Sequence, residues 1–81
     1  MNLEDFRKEI KLKYTFGINT TTGASRRYHD SKMRIGSEVH TPKNEDGEWG
    51  IGERIYYFED CRKEFSSIED LYNEYIKRQS K

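Results

Sequence analysis

The chain is short of aliphatic side chains, and that shortage limits the cores it can build. Three Leu, seven Ile, one Val and one Ala are spread over 81 residues, while 11 positions are aromatic: four Phe, six Tyr and one Trp. Leu, Ile, Val and Phe together fill 15 positions, below the ~20% of composition under which chains tend toward disorder. Disorder usually also needs a large net charge. Here 15 Lys and Arg balance 15 Asp and Glu, and the apolar residues are patterned rather than scattered. The expectation is one small domain over residues 1–81. Its core would be built mostly from aromatic rings, with little net stability.

The pattern gives the elements. Asn2 stands where a helix cap belongs, with Asp5 three residues on. Leu3, Phe6 and Ile10 recur at helical spacing, which predicts a helix over residues 3–13. Tyr14, Phe16 and Ile18 then alternate with polar residues, as on a half-buried strand ended by Thr20-Thr-Thr-Gly23. Residues 24–32 are polar and carry no clear period. Met33, Ile35 and Val39 suggest a second strand, and a long third strand runs from Trp49, with Trp49, Ile51, Ile55 and Tyr57 on one face. Ser66 with Glu69 forms a second capping sequence. Ile68, Leu71, Tyr72, Tyr75 and Ile76 complete an amphipathic helix. The fold class expected is α+β: an N-terminal helix, an antiparallel sheet of three strands or four, and a C-terminal amphipathic helix.

Most enzyme chemistry finds no motif. The stretch Asn44-Glu-Asp-Gly-Glu-Trp-Gly-Ile-Gly52 resembles a glycine-rich phosphate loop only in composition. Such a loop needs a helix after it, and Ile55-Tyr-Tyr-Phe58 forms strand instead. Asp46-Gly47 reads as a hairpin turn, and Gly50 and Gly52 leave a bare strip beside Trp49. His29-Asp30 lacks a nucleophile or second histidine close by, and the lone Cys61 excludes an internal disulfide or a cysteine-based zinc site. No catalytic residue, metal ligand or cofactor is therefore assigned. No apolar run reaches the ~18 residues of a membrane span, and the charged N-terminus lacks a signal-peptide apolar region. A reducing cytoplasm is the expected compartment.

Charge is unevenly placed along the chain. Residues 1–43 carry nine basic and five acidic side chains; residues 44–76 carry three basic and ten acidic. Two candidate contact patches follow: Arg26, Arg27, Tyr28, Lys32 and Arg34 in the basic part, and Glu45, Asp46, Glu48 and Trp49 in the acidic part. Arg and aromatic side chains suit a protein interface, and also a phosphate backbone with stacked bases. If the two signs stay apart on folding, each side can steer a different partner or pair two copies of the chain.

MNLEDFRKEIK at the start and SSIEDLYNEYIK near the end flank the strands. In this the chain resembles small helix–sheet–helix proteins encoded by phages and prophages of bacteria. Some of these are anti-CRISPR proteins, which bind a guide-RNA nuclease and occupy a site that DNA would use. The resemblance implies a non-enzymatic inhibitor in the bacterial host cytoplasm that occludes a surface of a larger bacterial protein such as a nuclease effector. With zero net charge, any DNA-like face would be local: Glu45-Asp46-Gly47-Glu48 with Glu53, Glu59 and Asp60. The alternative is nucleic-acid binding through the basic segment 25–34.

Overall fold

Asn2 does cap the first helix: its Oδ1 accepts the Asp5 N–H at 2.8 Å. In this computed structural model, which describes residues 2–61 and 63–79, helix α1 spans Leu3–Glu9. It stops four residues before the expected end. Ile10 is already extended (φ −75°, ψ 117°), and the Lys11 N–H donates to the Asp30 carboxylate at 2.6 Å instead of to a helical carbonyl. A tertiary hydrogen bond to an anion outweighs one more turn of weak helix propensity.

Five strands follow: β1 (Lys13–Thr20), β2 (Gly23–Asp30), β3 (Ile35–Pro42), β4 (Glu53–Phe58) and β5 (Glu64–Phe65). They form one antiparallel meander in the order β1-β2-β3-β4-β5. Three or four strands understate this. The missed strand is β2, whose sequence GASRRYHD has no apolar alternation. It sits between two full-length neighbours, so backbone pairing on both sides holds it without a hydrophobic face. Strand β4 starts at Glu53, not Trp49; Trp49 makes only an isolated bridge to Lys43, and Ile51 is 89% exposed. Helix α2 spans Ile68–Gln79, and its cap is Ser67, whose Oγ accepts the Asp70 N–H at 3.1 Å, rather than Ser66. The sequence Asp60-Cys-Arg-Lys63 reads as a turn and Lys77, Arg78 and Lys81 as cations at the negative end of α2; of these, Arg62 and Lys81 lie outside the described residues.

Register places the core. Ile35 pairs with Phe58, and Tyr56 with Phe65, so Ile35, Phe58 and Phe65 share one face of the sheet. Phe6 of α1 and Leu71 of α2 complete the buried set, with Tyr72 and Tyr75 packed around them. The rings of Tyr72 and Tyr75 lie 5.3 and 5.0 Å from Phe6. An aromatic core was expected, and this is one. It occupies only the end of the sheet where the helices sit. The molecule measures 49 × 22 × 20 Å, with a radius of gyration of 14.5 Å. A compact chain of this length would have about 11.7 Å. The far half of β1–β4 extends beyond the helices.

Strand β1 departs from its expected alternation. The register shifts between Tyr14 and Phe16, leaving Thr15 as a bulge. Tyr14 stands opposite Tyr28 on the helix side, while Phe16 stands opposite Arg27 on the other side. One inserted residue flips everything after it. Tyr14, Phe16 and Ile18 are therefore not one buried stripe; they are 59%, 52% and 47% exposed.

Candidate functional site

Folding divides the first basic patch between the two faces of β2 and the turn after it. Strand alternation sends Arg26 and Tyr28 to the helix side of β2 and Arg27 to the other. Arg26 Nη1 donates to the Ser25 carbonyl at 3.0 Å, and Tyr28 lies under the Arg54 guanidinium at 4.9 Å. Arg27 faces Glu38 at 3.6 Å. Lys32 pairs with Glu9 at 3.3 Å, and Arg34 with Glu59 at 3.0 Å. Three of the five are thus paired with carboxylates of the chain itself, and Tyr28 is covered by a guanidinium. The hydrogen bond from Arg34, opposed by desolvation and helped by His29, holds the Glu59 carboxyl below its ordinary range.

The second patch stays free. Asn44 closes a tight turn on Glu48: the Glu48 N–H donates to Asn44 Oδ1 at 2.8 Å, and the Asn44 N–H donates to the Glu48 carbonyl at 2.9 Å. Gly47 takes the left-handed conformation (φ 84°) that the turn requires. Glu45, Asp46 and Glu48 project from this turn, exposed, with no cation paired to any of them among the described residues. Behind them Trp49 is 54% exposed and carries the Lys43 ammonium 5.1 Å from its ring. The expected bare glycine strip is filled from within: a Cβ on Gly50 would meet Pro42 Cγ at 2.9 Å, and one on Gly52 would meet Thr41 Oγ1 at 2.8 Å. Glu59 and Asp60 do not join the tip; they lie at the helix end, paired with Arg34 and Arg78.

At the opposite end the topology gathers lysines that the sequence reading missed. Lys8, Lys11, Lys13 and Lys32 line a cleft of about 520 Å³ together with His29 and Asp30. Lys8 and Lys32 have carboxylate partners in Glu4 and Glu9, whereas Lys11 and Lys13 have none among the described residues. The spacing of residues 8, 11 and 13 crosses a helix-to-strand junction, so no single period reveals it; Lys32 arrives only through the β2–β3 turn. Asp30 is 6% exposed and is the floor of this cleft. Burial pushes its carboxyl up, but N–H donors from Lys11, Met33 and Lys32 outweigh that and hold it below its ordinary value.

The helix-free face is a polar lattice. Glu38 receives Arg27 at 3.6 Å and His40 at 3.2 Å, and His40 also meets Ser25 at 3.0 Å. The Tyr57 hydroxyl bonds Glu38 as well; burial first, and then the Glu38 charge, raise its pKa. His29 lies 3.4 Å from Glu59, and Cys61 packs against the core. No group of three or more His, Cys, Asp or Glu is placed to hold a metal among the described residues. No helix among them is long and apolar enough to cross a membrane. Comparison with known protein families, with curated proteins and with solved structures finds no match to this chain.

Proposed function

We propose that the chain is a non-enzymatic protein-binding module whose principal contact is the acidic tip, and that it acts by occluding a basic surface on a larger partner. One observation carries this reading: three carboxylates, Glu45, Asp46 and Glu48, unpaired among the described residues, on a hydrogen-bonded turn beside a half-exposed Trp49. Carboxylates at a rim steer encounter, and a Trp seated in a partner's pocket is a common hot spot. A nucleic-acid groove on a nuclease has the complementary charge, which agrees with the resemblance to phage-encoded inhibitors.

The test is capture from bacterial lysate by wild type and by a Glu45→Lys/Asp46→Lys/Glu48→Lys variant, followed by a cleavage assay on any nuclease captured. The reading expects the reversed tip to lose the partner and Trp49→Ala to weaken it by about 2 kcal/mol, roughly 30-fold. Equal capture of the same proteins by both forms refutes it.

A second reading rests on the lysine cleft: nucleic-acid binding centred on Lys8, Lys11, Lys13 and Lys32 rather than on residues 25–34. It expects a binding constant that falls with salt by a log–log slope of about −0.9 per duplex phosphate contacted, reduced in Lys11→Glu/Lys13→Glu. Absence of any DNA or RNA shift at low ionic strength removes it.

A further inference from the structure

The two edges of the sheet are unequal. Strand β5 is two residues long, too short to template another chain, whereas β1 offers eight. Its sequence KYTFGINT holds one charge, at its start, and no proline. Sheet proteins normally blunt such an edge with charge, proline or cover. Here the bulge at Thr15 disrupts only the first half, leaving residues 16–20 regular.

The directions of the free backbone groups follow from neighbouring strands. The Pro42 carbonyl accepts from Gly50 N–H at 2.8 Å and the Arg34 carbonyl from Glu59 N–H at 2.9 Å, so even-numbered residues of β3 turn toward β4. Lys43 N–H donates to Thr22 at 2.9 Å, so odd-numbered ones turn toward β2. Carrying the alternation through the register, Gly23, Ser25 and Arg27 turn toward β1 and are met by Phe16, Ile18 and Thr20. Gly17 and Asn19 between them turn their N–H and C=O outward, along the open edge.

We propose that two copies of the chain pair antiparallel through their β1 edges about a two-fold axis at Ile18. The pairing is self-complementary. Gly17 of each copy faces Asn19 of the other, so the four outward groups of each find partners. Ile18 faces its own copy, and Phe16 faces Thr20, bringing two exposed apolar side chains of the helix-free face to the seam. No two charges stand opposite each other, because residues 14–20 are uncharged. Antiparallel pairing also points the acidic tip of each copy toward the lysine end of the other.

The surface area leaves room for such a partner. The chain exposes 6088 Å². A compact monomer of 9.8 kDa would expose about 5,200 Å². The excess, about 900 Å², reflects the elongated shape, which leaves the β1 edge beyond the cover of the helices. Strand addition at a sheet edge is a general mode of association. A heterologous strand from another protein would use the same edge and is an outcome of the test.

Sedimentation equilibrium on the purified full chain, from low micromolar to near millimolar, should give a mass twice 9.8 kDa. Ile18→Lys sets like charges opposite each other and should raise the dissociation constant at least ~tenfold with an unchanged circular dichroism spectrum. Ile76→Lys, at an exposed apolar position on α2 away from the edge, should leave the dimer intact. In a Cys61→Ala background, Ile18→Cys should cross-link on oxidation and Thr20→Cys should not, because only directly opposite residues have the required Cα spacing of about 4.4–6.8 Å. A monomer at every concentration, a dimer indifferent to Ile18→Lys, or cross-linking through both cysteines overturns the proposal. A monomeric wild type that captures a partner in an Ile18-dependent way assigns the edge to a heterologous strand. The mass is read without any partner, so it stands or falls apart from the tip.

Discussion

Asp30 is the residue whose loss should be felt most widely, because one buried carboxylate closes two connections. Its Oδ2 accepts the Lys11 N–H at 2.6 Å, fixing the link from α1 into β1. Its Oδ1 accepts the N–H groups of Lys32 at 3.0 Å and Met33 at 3.1 Å, fixing the turn from β2 into β3. A hydrogen bond to a charged group contributes about 1.5–3 kcal/mol, and water recovers part of that at exposed donors. Lys11 and Lys32 are exposed, so the three bonds together are worth about 3–4 kcal/mol to folding. Asp30→Ala should therefore lower the melting temperature by more than about 12 °C, at ~4–8 °C per kcal/mol for a domain this small. Asp30→Asn should cost about half as much: its oxygen can keep the two turn donors, but its NH₂ then faces the Lys11 N–H, donor to donor. The pH dependence has a definite sign. The folded carboxyl titrates below its ordinary value of 3.8. Its stabilisation is complete above that value and is lost as pH falls through the lower, folded one. Urea unfolding followed by circular dichroism between pH 7 and pH 2 reads both effects. An Asp30→Ala protein within about 0.5 kcal/mol of wild type, a difference typical of ordinary surface substitutions, would refute the reasoning. So would an Asp30→Asn protein with an undiminished acid limb.

Two further substitutions test the sheet. Tyr57 lies flat over Gly36, where an added Cβ would fall 2.5 Å from ring Cζ and 2.7 Å from the hydroxyl. Gly36→Ala should cost about 1–3 kcal/mol by overpacking, and much less in a Tyr57→Ala background; additive effects in the double variant would refute the contact. Arg34 holds φ at 57° without being glycine. Arg34→Gly should match or exceed wild type in thermal melts despite losing Glu59, whereas Arg34→Val should lose about 1–3 kcal/mol; equal melting of the two would show the left-handed turn to be unimportant.

The legible parts of the fold were those where one residue type answers one local need. Asn2 at a helix start, Gly47 in a turn, and Leu71 with Tyr72 and Tyr75 at helical spacing all stand as expected. The illegible parts depend on partners far along the chain. Nothing local says that GASRRYHD is a central strand; only its two neighbours make it one. Nothing local says that Thr15 bulges, and that single residue decides which way Phe16 and Ile18 face. The candidate site divided the same way. The geometry of the acidic turn was readable because its residues are adjacent and the turn is local. The scattering of the basic residues was not readable, because adjacent residues on a strand point to opposite faces and their carboxylate neighbours come from β3, α1 and the β4–β5 connection. The lysine cleft was missed because its fourth member comes from a turn 19 residues after Lys13.

The thin aliphatic supply and the long shape have one explanation. Five buried apolar residues suffice to anchor two helices on one end of a sheet, but not to cover its whole length. The far half is held by backbone ladders and by polar contacts such as Arg27–Glu38–His40, which keep strands in register without a hydrophobic face. Exposed side chains there carry little of the folding free energy. The tip at residues 45–49 and the edge at residues 16–20 are therefore free to serve contacts outside the chain. The fold thus gathers what holds the molecule together at one end of its 49 Å length and leaves the other end to backbone pairing and polar contacts.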